Sequence, residues 1–177
     1  MPPLQLIMPQ ARQVLSDDHE AVHDVLQQLV TALHKRDVQT SHAKLDLLWA
    51  RLAVHIRAEH LHLFPAIASE TSDAILENLR ADHDFFMREL AQAIGVIREL
   101  PTTLDNPSDE AKWASLADTI RDVEKRLASH NEIEENQVYY LASTLLSEPA
   151  QMELSTRIRA ELENRPSRFS AEAWVNK

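Results

Sequence analysis

Two stretches of the chain place an imidazole and a carboxylate four residues apart. HIRAEHLHLFP carries His55 and Glu59, and HNEIEENQVYY carries His130 and Glu134. Residues at this spacing share one face of a helix, about 6 Å from each other, so both side chains reach one buried site. Two further segments carry an Asp-His pair, Asp18-His19 in DDHEAVH and Asp82-His83 in ADHDFFM. Along the chain the order is His, HxxxE, His, HxxxE, and the pair after each HxxxE also corresponds, Leu63-Phe64 with Val138-Tyr139. A single HxxxE is common by chance, but two copies alternating with two Asp-His segments form a weak internal duplication.

Imidazoles and carboxylates without thiolates suit iron, manganese or zinc, and paired carboxylates in a helical core favour a two-metal site. Two six-coordinate ions share roughly twelve positions. Four histidines and two bridging carboxylates, with an oxo or hydroxo bridge, leave about two positions for water or an exogenous ligand. Such a site is reactive rather than closed. A structural zinc needs only four ligands, fewer than His19, His55, Glu59, His83, His130 and Glu134 supply.

The elements that must position these residues are helices. The 177 residues contain one glycine and eight prolines, with Leu, Ala, Glu and Arg prominent, which argues against a turn-rich β fold and for strong helix formers. Apolar periodicity predicts a first helix from about Val14 to His34, with Ser16 as its N-cap, and a second from about Gln39 to Phe64, ended or kinked by Pro65. Thr71 and Ser72 are candidate caps for a third helix, which Pro101 stops. A loop through Asn106 precedes a fourth, opened by Ser108 and reaching about Leu146. A shorter helix starting at Pro149 ends near Pro166, followed by an arm with Phe169 and Trp174 as docking residues. The expected architecture is all-α: one domain over 1–177, an up-and-down four-helix bundle over about 14–146, and a C-terminal helix and arm over 147–177. With the helices antiparallel, the N-terminal halves of the first and third meet the C-terminal halves of the second and fourth, and the six side chains converge.

The formal charge of −10 disfavours a nucleic-acid partner. The chain has no cysteine for disulfides or thiol catalysis. No apolar run is long enough to span a bilayer, and the opening MPPLQLIMPQ lacks a basic n-region. The expectation is a cytoplasmic protein.

His23, one turn after His19, is a candidate seventh ligand. His60 and Glu135, each turned about 100° from the neighbouring glutamate, belong beside the site or at the surface. His62 is placed at the surface or at an entrance, and His34 and His42 in solvent. Tyr139 and Tyr140 could hydrogen-bond near the metals, with packing as the default, and Phe85, Phe86 and Met87 are expected in the core. Asp18 and Asp82 could orient the histidines beside them as acceptors, but adjacent helical positions diverge in direction, so capping and solvation are the stronger expectation.

From Ser16 to Leu145 these residues resemble the hemerythrin-like HHE cation-binding family. Its pattern is a His on the first helix, HxxxE on the second, a His on the third and HxxxE or HxxxxD on the fourth. The resemblance implies His19, His55, Glu59, His83, His130 and Glu134 as metal ligands, and Leu63-Phe64-Pro65 matches the family's usual close of the second helix. It implies two iron ions with an oxo or hydroxo bridge, zinc or manganese being possible substitutes, and a small partner such as oxygen, nitric oxide or peroxide. Two departures point away from simple reversible oxygen carriage. Met87 stands where oxygen-carrying members look for a second His, and Glu134 and Glu135 stand where those members commonly place an Asp five residues after the last His. A ligand-binding or sensing protein, a peroxide-consuming enzyme and a structural metal bundle are the three functions compatible with this pattern.

Overall fold

The computed structural model describes residues 10–166, and every regular element in that span is helical. The chain runs through α1 (Ala11–His34), α2 (Val38–Ala58), a π-helical turn (Glu59–Leu63), α3 (Phe64–Ile67) and α4 (Asp73–Arg98). It continues through α5 (Pro107–Ile133), a second π-helical turn (Glu134–Val138), α6 (Tyr139–Leu145) and α7 (Glu148–Glu163). Each π turn joins its flanking helices into one rod, so four rods form the bundle. α1 packs on α2, α2 on α4, α4 on α5 and α5 on α1, while α7 lies against α1 and α2. The expected up-and-down bundle is present. The proposed docking of Phe169 and Trp174 lies outside the described residues. None of the described helices is long and apolar enough to cross a membrane.

Several boundaries differ from the sequence expectation. α1 starts at Ala11, before Ser16, because Ala11, Val14 and Leu15 are buried in the core and burial extends the helix. Asp37 caps α2 by accepting from the Thr40 backbone N–H at 2.9 Å. Asn106, not Ser108, caps α5 in the same way from Asp109 at 2.9 Å, with Pro107 in the first turn where its missing N–H costs nothing. Pro65 does not end the second rod. It is the second residue of α3, in the first turn after the π turn has reset the hydrogen-bond ladder. α1 closes through Arg36, whose φ of 58° is left-handed, with Asp37 N–H bonded to Ala32 O and Arg36 N–H to Leu33 O.

The apolar core is split in two. One cluster spans Val22 to Leu33, Leu45 to Ile56, Phe86 to Ile97 and Trp113 to Leu127. The other joins Ala11 to Leu15, Leu63 to Ile67, Leu76 with Leu79, and Val138 to Ala142, closed by Leu154, Ile158 and Leu162 of α7. On each rod the gap between the two clusters is occupied by His19, by His55 and Glu59, by His83, or by His130 and Glu134, all buried. A polar layer is thus sandwiched between two dry ones, an arrangement that is costly unless the polar groups are mutually satisfied or bound to a cation.

Gly95 lies exposed inside α4, and a Cβ built there meets nothing within 4 Å. Gly95→Ala is expected to raise unfolding stability by about 0.5–1 kcal/mol through helix propensity and unfolded-state entropy, read from a denaturant titration.

Candidate metal centre

Four histidines present Nε2 to the centre of the buried layer and use Nδ1 to hold position. His55 Nδ1 donates to Asp18 at 2.9 Å, and His130 Nδ1 donates to Asp82 at 3.1 Å. Arg51 braces Asp18 at 2.6 Å and Arg126 braces Asp82 at 2.6 Å. His19 Nδ1 donates to Glu135 at 2.9 Å, and His83 Nδ1 to His60 Nε2 at 2.9 Å. Both halves therefore use the same device. The Asp before each lone histidine orients the HxxxE histidine of the neighbouring rod, and the residue after each glutamate orients a lone histidine. An outer hydrogen bond of this kind fixes the tautomer and leaves Nε2 free to bind a cation.

Inside the layer the donors fall into two groups. His19, His55, Glu59 and Glu134 bring ligand atoms within 4.8 Å of one another, as do His83, His130 and Glu134. Glu134 belongs to both groups, one oxygen 3.2 Å from His19 Nε2 and the other 3.0 Å from His130 Nε2. Glu59 also faces both ways, 3.4 Å from His55 Nε2 and 3.3 Å from His83 Nε2. Both carboxylates are fully buried. Although histidine nitrogens are close, Glu59 Oε2 and Glu134 Oε1 have no aligned hydrogen-bond partner. An orphaned buried acceptor costs about 1–3 kcal/mol, and a cation between the carboxylates removes that cost. The donor set fits two borderline cations: imidazoles from four rods, two carboxylates placed to bridge, and no thiolate.

Without metal, protons balance the charge. Burial opposes protonation of His55, but Glu59 and Asp18 outweigh it and hold the imidazole well above its ordinary pKa. His83 is raised from 6.5 to about 9 against burial by the carboxylates of Glu134 and Glu59, 3.5 and 3.3 Å from its Nε2. Burial and Glu134 both push Glu59 up, yet His55 and His83 take it from 4.5 to about 2. Glu134 is held well below its ordinary value by His130, His19 and His83 despite its burial. His60 is lowered by burial and by the neighbouring His83, which suits it to accept the His83 proton.

The sign of the pH dependence follows. His55 and His83 stabilise the fold below 6.5, and the share of His83 is lost as pH climbs through about 9; Glu59 contributes above 4.5 and loses its share as pH falls toward 2. In chelator the thermal midpoint is expected to peak between about pH 4.5 and 6.5 and fall on both sides. Metal-loaded protein should lose the alkaline decline, because the cation replaces the protons. Thermal melts over a pH series, with and without chelator, check both statements.

His23 does not join the cluster. It is exposed on α1, where the inward stripe runs from His19 to Val22 and Leu26, so the next turn carries His23 into solvent. The expectation for Asp18 and Asp82 is corrected as well. They do not orient their own neighbours but reach across to His55 and His130 on the adjacent rods, a pairing invisible within one helix. His60 and Glu135 stand beside the site as expected. Phe86 is fully buried and meets the His130 ring edge-on at 5.3 Å.

Tyr139 does more than the packing expected of it by default: it is the tyrosine that reaches the donors. Its hydroxyl donates to Glu59 Oε1 at 2.6 Å and lies 2.9 Å from His19 Nε2. Burial, then the two glutamates, push its pKa well above 10 in the metal-free protein. In a regular α-helix the fifth residue after Glu134 is turned about 140° away from it. The π turn, closed by the Tyr139 N–H on Glu134 O, brings Tyr139 back over the site. The first rod pair repeats this with the Phe64 N–H on Glu59 O. The matching Leu63-Phe64 and Val138-Tyr139 pairs are the only trace of this feature in the sequence.

A family model described as the hemerythrin HHE cation binding domain matches residues 10–142. Neither the curated proteins nor the solved structures give a match to this chain.

Proposed function

The chain belongs to the hemerythrin HHE cation-binding domain family, and from that premise we propose a non-haem di-iron protein that binds a small ligand at its metal pair. The ligand class is oxygen, nitric oxide or peroxide, and the role is oxygen, nitric oxide or iron-redox handling in the cytoplasm. The observation that carries this reading is the sharing of Glu134 between two histidine-containing donor groups, with Glu59 facing the same two groups. When bound, an iron pair supplies Lewis-acidic, redox-active positions with room for a diatomic or peroxide.

The protein's own part is positional and electrostatic. Asp18, Asp82, Glu135 and His60 hold four imidazoles with Nε2 inward. Glu59 and Glu134 supply two negative charges in a layer shielded by apolar clusters above and below, where water is excluded and electrostatic attraction is strong. The number of donors favours reactive ions over a single closed zinc site.

The test is anaerobic addition of nitric oxide to iron-loaded protein, followed by visible and electron paramagnetic resonance spectroscopy, with zinc-loaded protein as control. New iron-nitrosyl signals in the iron form support the reading, whereas unchanged spectra in fully iron-loaded protein refute it. The second reading, a peroxide-consuming enzyme, rests on the buried Tyr139 hydroxyl as a proton-bearing group beside the donors. Sustained oxygen evolution or peroxide loss by the iron form would favour that reading.

A further inference from the structure

We propose that Tyr139 is itself a donor to one of the two metal positions, so that the pair is inequivalent and the exogenous ligand binds at the other. The inference rests on the metal-pair reading above and deepens it.

The hydroxyl oxygen of Tyr139 lies 2.9 Å from His19 Nε2, 3.4 Å from His55 Nε2, 2.6 Å from Glu59 Oε1 and 3.2 Å from Glu134 Oε2. These four partners are the members of the first donor group. A six-coordinate ion with bonds near 2.1 Å places neighbouring donors about 3.0 Å apart, and each vertex has four such neighbours. Tyr139 meets that description from one rod, while the other four atoms come from α1, the second rod and the Glu134 turn. The side chain is fully buried, and its ring packs 5.3 Å from that of His19, so the oxygen is held where it stands.

The duplicated position in the other half is Phe64. It follows Glu59 by five residues through the same π turn, but it carries no oxygen and stacks 6.0 Å from His83 with the rings 7° from parallel. The first group therefore offers five residues, and the second offers His83, His130 and the bridging carboxylates. A small ligand then binds on the side of His83 and Phe64. On coordination the Tyr139 O–H bond breaks heterolytically. The oxygen keeps the electron pair as phenolate and the proton leaves to solvent, with no change in oxidation state.

The test is ferric loading of the full chain, read by visible absorption, resonance Raman and iron content. The chain has two tyrosines, Tyr139 and Tyr140, and Tyr140 is exposed. The wild type is expected to show a phenolate-to-iron charge-transfer band with enhanced tyrosinate ring modes. Tyr139→Phe should lose both, and Tyr140→Phe should keep both. If Tyr139→Phe fails to fold, Tyr140→Phe still decides, because a band it retains has no other tyrosine as its source. Azide added to the wild type should bind while the tyrosinate modes persist; azide that displaces them overturns the inequivalence. Two irons per chain without the band overturn this inference and leave the metal pair standing. A wild type that binds no iron overturns both.

Discussion

Glu134→Ala is expected to empty both metal positions, whereas His130→Ala should leave one of the two filled. The difference follows from membership: His130 belongs to one donor group and Glu134 to both. Losing an outer partner of a metal ligand typically weakens binding about 10–100-fold, and losing a bridging carboxylate exceeds that at both positions together. Glu134 is fully buried, and its charge also balances His130, His19 and His83, so the variant is left with uncompensated imidazoles. Glu134→Gln keeps the shape and removes the charge, separating loss of ligation from loss of packing. Iron content per chain, measured beside the helical circular dichroism of each variant, checks the prediction. Two irons retained by well-folded Glu134→Ala would remove Glu134 from the bridging role.

Metal loading is expected to raise the thermal midpoint by about 10 °C. A ligand that binds only the folded state at a free concentration of about 1,000 times its Kd stabilises by about 4 kcal/mol. In a chain of this size each kcal/mol moves the midpoint by about 2–4 °C. The physical source is the layer between the two apolar clusters, where Glu59 Oε2 and Glu134 Oε1 lack hydrogen-bond partners. Differential scanning calorimetry of iron-loaded and chelator-treated protein is the measurement, and Glu134→Ala should abolish the shift.

The fold and the six central donors were legible because both obey the period of a regular helix. HxxxE places His55 over Glu59 and His130 over Glu134 wherever the rods pack, and the apolar stripes on either side define the rods. What escaped lies where that period breaks or where two rods meet. Tyr139 is turned away on a regular helix, and only the π turn after Glu134 returns it to the site. Asp18 and Asp82 point away from the histidines beside them, and their real partners, His55 and His130, belong to other rods. His23 shared a spacing with His19 but not the inward stripe, which Val22 and Leu26 continue. The caps Asp37 and Asn106 carry cap-forming side chains, yet flanking periodicity placed the helix starts a residue or two away.

The central claim is that one chain holds two metal ions in a shared layer, and the most direct measurement is stoichiometry. Protein reconstituted with ferrous iron under anaerobic conditions, freed of excess metal by gel filtration and analysed by atomic emission, should carry two irons per chain. One iron per chain, or none with the helical bundle intact, would contradict the paired centre.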